Sequence, residues 1–310
     1  MGIVILKRIL VGIPTLIGVT IILFVALRVL PGDPVSVILA GAPTTPEVVE
    51  QLRQEFGLDQ PIWVQYWDFL VKAFTLDFGN SYSTRQPVTT MIGQQIMPTL
   101  QLALAAAFVS AVVGIVLGSL AAMYRNKWGD NLIRVLSLIN LSMPSFWVGV
   151  MLIVLFSFTL QIFPATGNAG FKSLVLPAIT LGLSAAGTVT RLVRNSVLEV
   201  LNENFVTSLY SRGLSKGVVI GKHVLRNAII PTVTIVGLQL GALIAGAVIV
   251  ETVFARQGLG QMLIQAISAQ DFPVVQGVVL VIAVIYITIN IIVDVSYAYI
   301  DPRVRDAVKR

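Results

Sequence analysis

Residues 202–231 read NENFVTSLYSRGLSKGVVIGKHVLRNAIIP, and this stretch decides how the chain is organised. It is the longest interruption in a hydrophobic C-terminal half, and it carries Arg212, Lys216, Lys222, His223 and Arg226. Phe205, Val206 and Leu209 fall at helical spacing and predict a short amphipathic helix with these three on one side. Gly213 closes that helix, because glycine reaches the left-handed conformation at no steric cost. Ser215 then suits the N-cap of a second helix holding Val218, Val219 and Leu225 and running to Asn227. A compact, half-apolar hairpin between two hydrophobic segments has two readings: a docking knob for another protein, or a surface loop on lipid headgroups.

Working outward, the chain is 56% hydrophobic and 12% charged, with mean hydropathy +0.87, which excludes a soluble globular domain. Charge-free runs of the length a bilayer requires recur, and they predict six spans at about 9–30, 99–123, 135–160, 174–195, 229–250 and 275–299. Arg191 and Arg194 enter the last turns of the fourth; they either ring an inner mouth or simply set topology. The first reads as a retained helix, since PGDP at 31–34 stands where a cleaved leader would carry small residues. With six spans and the N-terminus inside, Arg28, Arg53, Lys72, Arg85, Lys172 and Arg256 fall outside. The remaining 15 of the 21 basic residues fall inside. Both termini and the hairpin are then cytoplasmic, and the net charge of +6 reports topology and anionic lipid, not nucleic acid.

PGDP forces a turn after the first span. The segment from there to about residue 98 is the largest piece outside the membrane, with a helix expected near residues 46–56 and the interface-type aromatics of QPIWVQYWDFLVKAF. It is read as a cap on the outer mouth, so residues 1–98 form one division and 99–310 a five-helix core. Gly114 and Gly118 predict close helix approach in the second span. Pro144 falls inside the third, where Ser142 and Ser145 are expected to satisfy the freed backbone. Spans four and five hold many small residues, which either pack against protein or line a path. Thr188, Asn195, Thr234, Gln239 and Gly241 are the candidates for that path. The segment after the fifth span, ETVFARQGLGQMLIQAISAQDFPVVQG, reads as a lid or re-entrant piece.

No cysteine is present, so disulfides and thiolate metal sites are excluded. His223 is the single histidine, so neither a histidine metal cluster nor a serine–histidine triad is available. GVVIGKH at 217–223 is one residue short of a phosphate loop and has His223 where Ser or Thr must reach magnesium. This chain is therefore not expected to bind ATP. Glu251 and Asp294 stand near span ends, as interface anchors or as parts of an ion relay. An ion-driven secondary transporter would want acids at mid-membrane, and an intramembrane enzyme a catalytic constellation there.

Nine marks in order give the chain a resemblance. They are PGDP, GLDQP at 57–61, DFG at 77–79, MPSFWVG at 143–149, LPA at 176–178, and RGLSKGVVIGKHVLRNAIIP at 212–231. ETVF with GLG at 251–260, DFPVVQG at 271–277 and DPR at 301–303 complete them. Over nearly its whole length the chain resembles the permeases of ATP-binding cassette importers of the dipeptide, oligopeptide, glutathione and nickel class. The resemblance implies an all-α protein of six transmembrane helices, of the type I importer architecture, in a bacterial or archaeal cytoplasmic membrane. It implies a transport subunit rather than an enzyme, with no cofactor on this chain and with ATP and magnesium in partner subunits. The implied partners are a second homologous permease in a heterodimer, two ATP-binding subunits and a periplasmic or lipid-anchored solute-binding protein. The hairpin would be the coupling helix, carried by Phe205, Leu209, Tyr210, Arg212, Gly213, Leu214, Ser215, His223 and Arg226. The solute implied is a small peptide or glutathione, with an opine or nickel chelate as the alternative. Two departures stand out: Thr207 to Gly213 lacks two basic positions of the usual RTARAKG, and Arg256-Gln257 replaces the usual Trp-Pro.

Overall fold

The computed structural model describes residues 2–29, 45–55 and 59–300. The expected turn at 31–34, Gly57 and Leu58, and the DPR segment at 301–303 lie outside the described residues. The described residues are helical, with no strand among them beyond one isolated antiparallel bridge between Asn80 and Pro87. In chain order the helices are α1 (Gly2–Val29), α2 (Pro46–Glu55), α3 (Ile62–Phe74), α4 (Val88–Met123), α5 (Trp128–Ser142) and α6 (Ser145–Leu152). A π-helical stretch, Ile153–Thr159, extends α6. Then follow α7 (Lys172–Leu201), α8 (Asn204–Ser211), α9 (Lys216–Val218), a second π-helical stretch at Val219–Val224, α10 (Leu225–Val253), α11 (Leu259–Ser268) and α12 (Phe272–Ile300).

Five of these helices are long and apolar enough to cross a bilayer, in α1, α4, α7, α10 and α12. The sixth expected span is broken. Helices α5 and α6 pass the same test only as a pair, bent by 105°. Met143 causes the break: the residue before a proline is driven out of the helical region, and Met143 is extended at φ −81°, ψ 131°. The expected repair by Ser142 and Ser145 across a continuous helix is not what the structure has. Ser142 Oγ donates to Leu138 O of its own helix at 3.1 Å, and Pro144 begins a new helix.

The chain packs as two compact units. One comprises residues 1–99 and 257–291, the other residues 100–256 and 292–310. In the first unit Leu23, Leu27, Val88, Ile92, Leu259, Met262, Val274 and Val278 form the core. The stretch expected to be a lid or re-entrant piece is partly core, since Leu259 and Gly260 of α11 are buried in that unit. In the second unit Val189, Val193 and Val197 of α7 meet Ala122, Val206, Val219, Val224 and Ala228. The expected close approach at Gly114 and Gly118 is real: a Cβ on Gly114 would stand 2.4 Å from Val189 Cγ1, and one on Gly118 2.6 Å from Thr190 O. Helix α7 also carries Gly187, whose Cβ would stand 3.0 Å from Ser137 O of α5.

Candidate functional site

Residues 202–231 form the bend that the sequence suggests, with a differently built second arm. Gly213 has φ +79°, and a Cβ there would meet nothing within 4 Å, so its requirement for glycine is purely conformational. Gly213 N–H donates to Tyr210 O at 2.9 Å and Leu214 N–H to Leu209 O at 3.3 Å. That pair of bonds is a Schellman closure, and its usual apolar contact falls to Leu209 and Leu214, both packed against the valine core. Ser215 holds the N-cap position at φ −66°, ψ 150°, but its hydroxyl makes no capping bond. The second helix does not stop at Asn227. It runs from Lys216 through the π-helical stretch into α10 and past Pro231, so the change from polar to apolar side chains is not a change in backbone.

The arms sort their side chains sharply. Val206, Val219, Ile220 and Val224 are buried, and Leu209 and Leu214 lie half inside. Phe205, expected beside them, is turned outward with Tyr210, Arg212, Ser215, Lys216, Lys222 and Arg226, while His223 is half-buried. The reason is helical phase: the buried side of this eight-residue helix centres on Val206, Leu209 lies about 60° from it, and Phe205 falls about 100° from Val206, on the outer flank beyond Leu209. The exposed rim is therefore an aromatic pair among four cations.

In the same unit, Asp130 at the start of α5 is fully buried and accepts from Arg194 of α7 through two bonds of 2.8 Å. Asn126 N–H adds a bond of 3.1 Å, and Arg134 approaches at 3.5 Å. Arg194 thus ties two helices together instead of ringing a mouth, whereas Arg191 is exposed. The sequence carried a signal for this partner, since Asp130 is the one acid among Arg125, Lys127 and Arg134.

The path candidates are dispersed. Thr188 is half-buried and Asn195 exposed, seven apart on one stripe of α7. Thr234 and Gly241 share a stripe of α10, with Thr234 half-buried and Gly241 buried. Gln239 is turned about 140° from Thr234, and its Oε1 is buried without a hydrogen-bond partner. Glu251, two residues before the end of α10, is fully buried. Arg256, one turn beyond, is buried too; that burial lowers its pKa while Glu251 opposes the shift. No group of three or more metal-ligating side chains occurs among the described residues.

The first unit holds a feature that sequence reasoning missed. Asp271, just before α12, is buried and accepts from Ser81 Oγ at 2.6 Å, Tyr82 N–H at 3.1 Å and Ser83 N–H at 3.2 Å. No local pattern announces a contact between residues 190 apart. Beside this anchor lies a cavity of about 840 Å³, walled by Phe24, Arg28, Asp68, Lys72, Asp77 and Tyr82 among others. Burial pushes the Tyr82 hydroxyl up to about 12, with Asp271 adding to the shift and Arg28 opposing it.

These spans, with a bent pair and a closed hairpin among all-helical described residues, define a multi-pass membrane protein. The family model for the binding-protein-dependent transport system inner membrane component matches residues 114–306, and the model for the N-terminal part of such membrane components matches residues 1–103. The chain belongs to this family. A putative peptide transport system permease protein of Brucella abortus is 40% identical over 309 residues, covering 97% of this chain and 98% of that protein. The glutathione transport system permease protein of Escherichia coli (strain K12) is 39% identical over 301 residues, with 97% and 98% covered. Among solved structures, an inward-facing form of the MetNI methionine ABC transporter matches with TM-score 0.58 at 20% identity, covering 68% of this chain and 96% of that one. An amino acid ABC transporter crystallised with histidines matches with TM-score 0.52 at 14% identity, covering 68% and 94%. The chain is thus an all-α, multi-pass inner-membrane permease of the ABC importer kind. Its family works with a solute-binding protein and ATPase subunits, and it is a transport family and not an enzyme family.

Proposed function

We propose that this chain forms one half of the pathway of an importer for peptide-like solutes, dipeptides, oligopeptides or glutathione. The printed functions of the Brucella and Escherichia relatives support the solute class. Its partners are a second, homologous permease in a heterodimer, two ATPases, one of them bound to this chain's hairpin, and a periplasmic or lipid-anchored binding protein that selects the solute. Both termini lie in the cytoplasm, and ATP and magnesium are held by the partners. Residues 1–98 serve as the first helix with its outer segment, and 99–310 as the transporting core.

The observation that carries the coupling reading is the hairpin's division of labour. Its closure is fixed by Gly213 and by a valine core continuous with α7, while Phe205, Tyr210, Arg212, Lys216, Lys222 and Arg226 are left outside. An aromatic pair ringed by cations fits an acidic, apolar-floored groove on an ATPase. Because the second arm is continuous with α10, a push on the hairpin moves a spanning helix directly, which is what switching between two rigid packings requires. Leu209 and Leu214 hold the hairpin's shape; Ser215, His223 and Arg226 flank the contact.

Proteoliposomes holding the four-part complex test this. ATP-dependent uptake of labelled dipeptide or glutathione, requiring the binding protein and lost when Arg212 and Tyr210 are both replaced by Ala, is expected. Uptake of a nickel chelate or an opine in preference to peptides overturns the solute class. Uptake on an ion gradient without ATPases overturns the mechanism.

A further inference from the structure

Helix α3 has three distinct faces. Tyr66, Phe69 and Gln65 turn toward α1: Tyr66 Oη and Thr20 Oγ1 are 3.0 Å apart, the Phe24 ring lies 5.2 Å edge-on to Tyr66 and 6.2 Å from Phe69, and Arg28 donates to Gln65. Asp68 and Lys72 line the cavity of the same unit. The third face is Trp63, Trp67, Val71 and Phe74, which are 75%, 64%, 47% and 87% exposed. At about 100° per residue these four fall within roughly 80° of one another, a stripe without a single charge.

The contacts of the first face place the middle of α3, Gln65 to Phe69, against α1. Thr20, Phe24 and Arg28 are four apart on one side of α1, inside its apolar span Leu10–Val29. From Thr20 to Arg28 the axis rises about 12 Å. The middle of helix α3 therefore lies beside the half of that span that ends at Arg28, level with Ile21, Ile22 and Val25, which are themselves exposed. A soluble protein cannot touch a surface at that level without entering the bilayer.

We propose that α3 is embedded in the leaflet at the Arg28 end of α1, with its Trp63–Trp67–Val71–Phe74 stripe against lipid acyl chains and the headgroup boundary. Indole rings suit that boundary, offering an apolar body and one N–H for the wet side. The cation–π contact of Arg28 on the Phe24 ring, 3.8 Å from its centroid, places a charge at the level where such a helix would meet headgroups. The outer segment is then a lipid-held element beside the first span, with only its Asp68 and Lys72 side turned to the cavity. This inference rests on the span and the contacts, independently of the solute or the coupling hairpin.

The test uses the full complex in nanodiscs. The native chain has no cysteine, so Val71→Cys and Phe74→Cys, labelled with a nitroxide before assembly, each report one position. Collisions with oxygen exceeding those with a water-soluble nickel chelate are expected at both. Separately, brominated acyl chains should quench the fluorescence that is lost when Trp63 and Trp67 are replaced by Phe. Nickel collisions exceeding oxygen mean the stripe faces water, and low access to both reagents means a protein covers it. Either result, or unquenched Trp63 and Trp67, overturns the proposal.

Discussion

Arg194 closes a bidentate ion pair on Asp130, Nε to Oδ1 and Nη2 to Oδ2, both at 2.8 Å and 64 residues apart in sequence. The carboxylate is fully buried, so its charge is tolerated only because the guanidinium fork and the Asn126 N–H saturate it. Removing one partner strands the other. Arg194→Ala should cost about 3–5 kcal/mol. Arg194→Lys should recover only part, because an ammonium cannot make the paired bonds. The double change Asp130→Leu with Arg194→Met should be far less damaging than either single truncation. Thermal unfolding of the purified complex measures this, and an unchanged midpoint for Arg194→Ala would refute it.

Gly213→Val should uncouple the transporter while leaving it inserted. The backbone there sits at φ +79°, which costs a β-carbon residue about 1–2 kcal/mol. No neighbour lies within 4 Å of the new Cβ, so the damage is confined to the bend. Transport per ATP hydrolysed should fall while assembly persists. Normal stimulation of ATPase activity by loaded binding protein would count against it.

The contrast between Gly213 and Met143 shows what sequence could and could not supply. The bend at Gly213 is a local event, written in one glycine between two amphipathic stretches, and the spans are local sums of hydropathy. The 105° break before Pro144 was signalled by the proline, but a proline inside a span is compatible with a kink or a break, and packing decides. Phe205 faces outward because the core takes the Val206 edge of the roughly 100° arc that Phe205, Leu209 and Val206 share, and the pattern alone does not say which edge is buried. Asp271 with Ser81 was invisible, since nothing in either neighbourhood names a partner 190 residues away.

Two glycines of α4 should respond oppositely to the same change. Gly118→Ala puts a Cβ 2.6 Å from Thr190 O and 2.7 Å from Val193 Cβ, where backbone must move. A loss of about 1–3 kcal/mol is expected from such overpacking. Gly93→Ala meets nothing within 4 Å and should gain up to about 1 kcal/mol from helix propensity. Equal effects at the two positions would mean that α4 and α7 are not in close contact in the membrane.

Tyr82 makes the Ser81–Asp271 anchor sensitive to alkali. Its hydroxyl is raised to about 12, first by burial and then by Asp271, so the folded protein holds that proton where an unfolded chain has released it. The stabilisation is complete below the ordinary value near 10 and is lost as pH rises through about 12. Tyr82→Phe should flatten the alkaline limb of stability, and the wild-type minus variant absorbance should show a tyrosinate appearing only near the top of that window. Titration at the ordinary value would show that Tyr82 is not buried beside Asp271.

The path prediction turns on Gln239. Its Oε1 is buried and makes no hydrogen bond among the described residues, a state that costs free energy unless water or solute reaches it. Thr188, Asn195 and Thr234 add neutral polar groups on α7 and α10, and a wall of that kind can wet a peptide without holding it. The competing account is that these residues only let helices pack, as Gly182, Gly187 and Gly237 visibly do. Cysteines at Thr188, Thr234, Gln239 and Gly241 separate the two accounts, since no native cysteine interferes. Several of them, Gln239→Cys first, should react with a water-soluble thiol reagent at rates that change when ATP is trapped. Gly241 is buried in this conformation and should react only in the other one. If all four stay unreactive in both states, the small and polar residues of α7 and α10 serve packing alone.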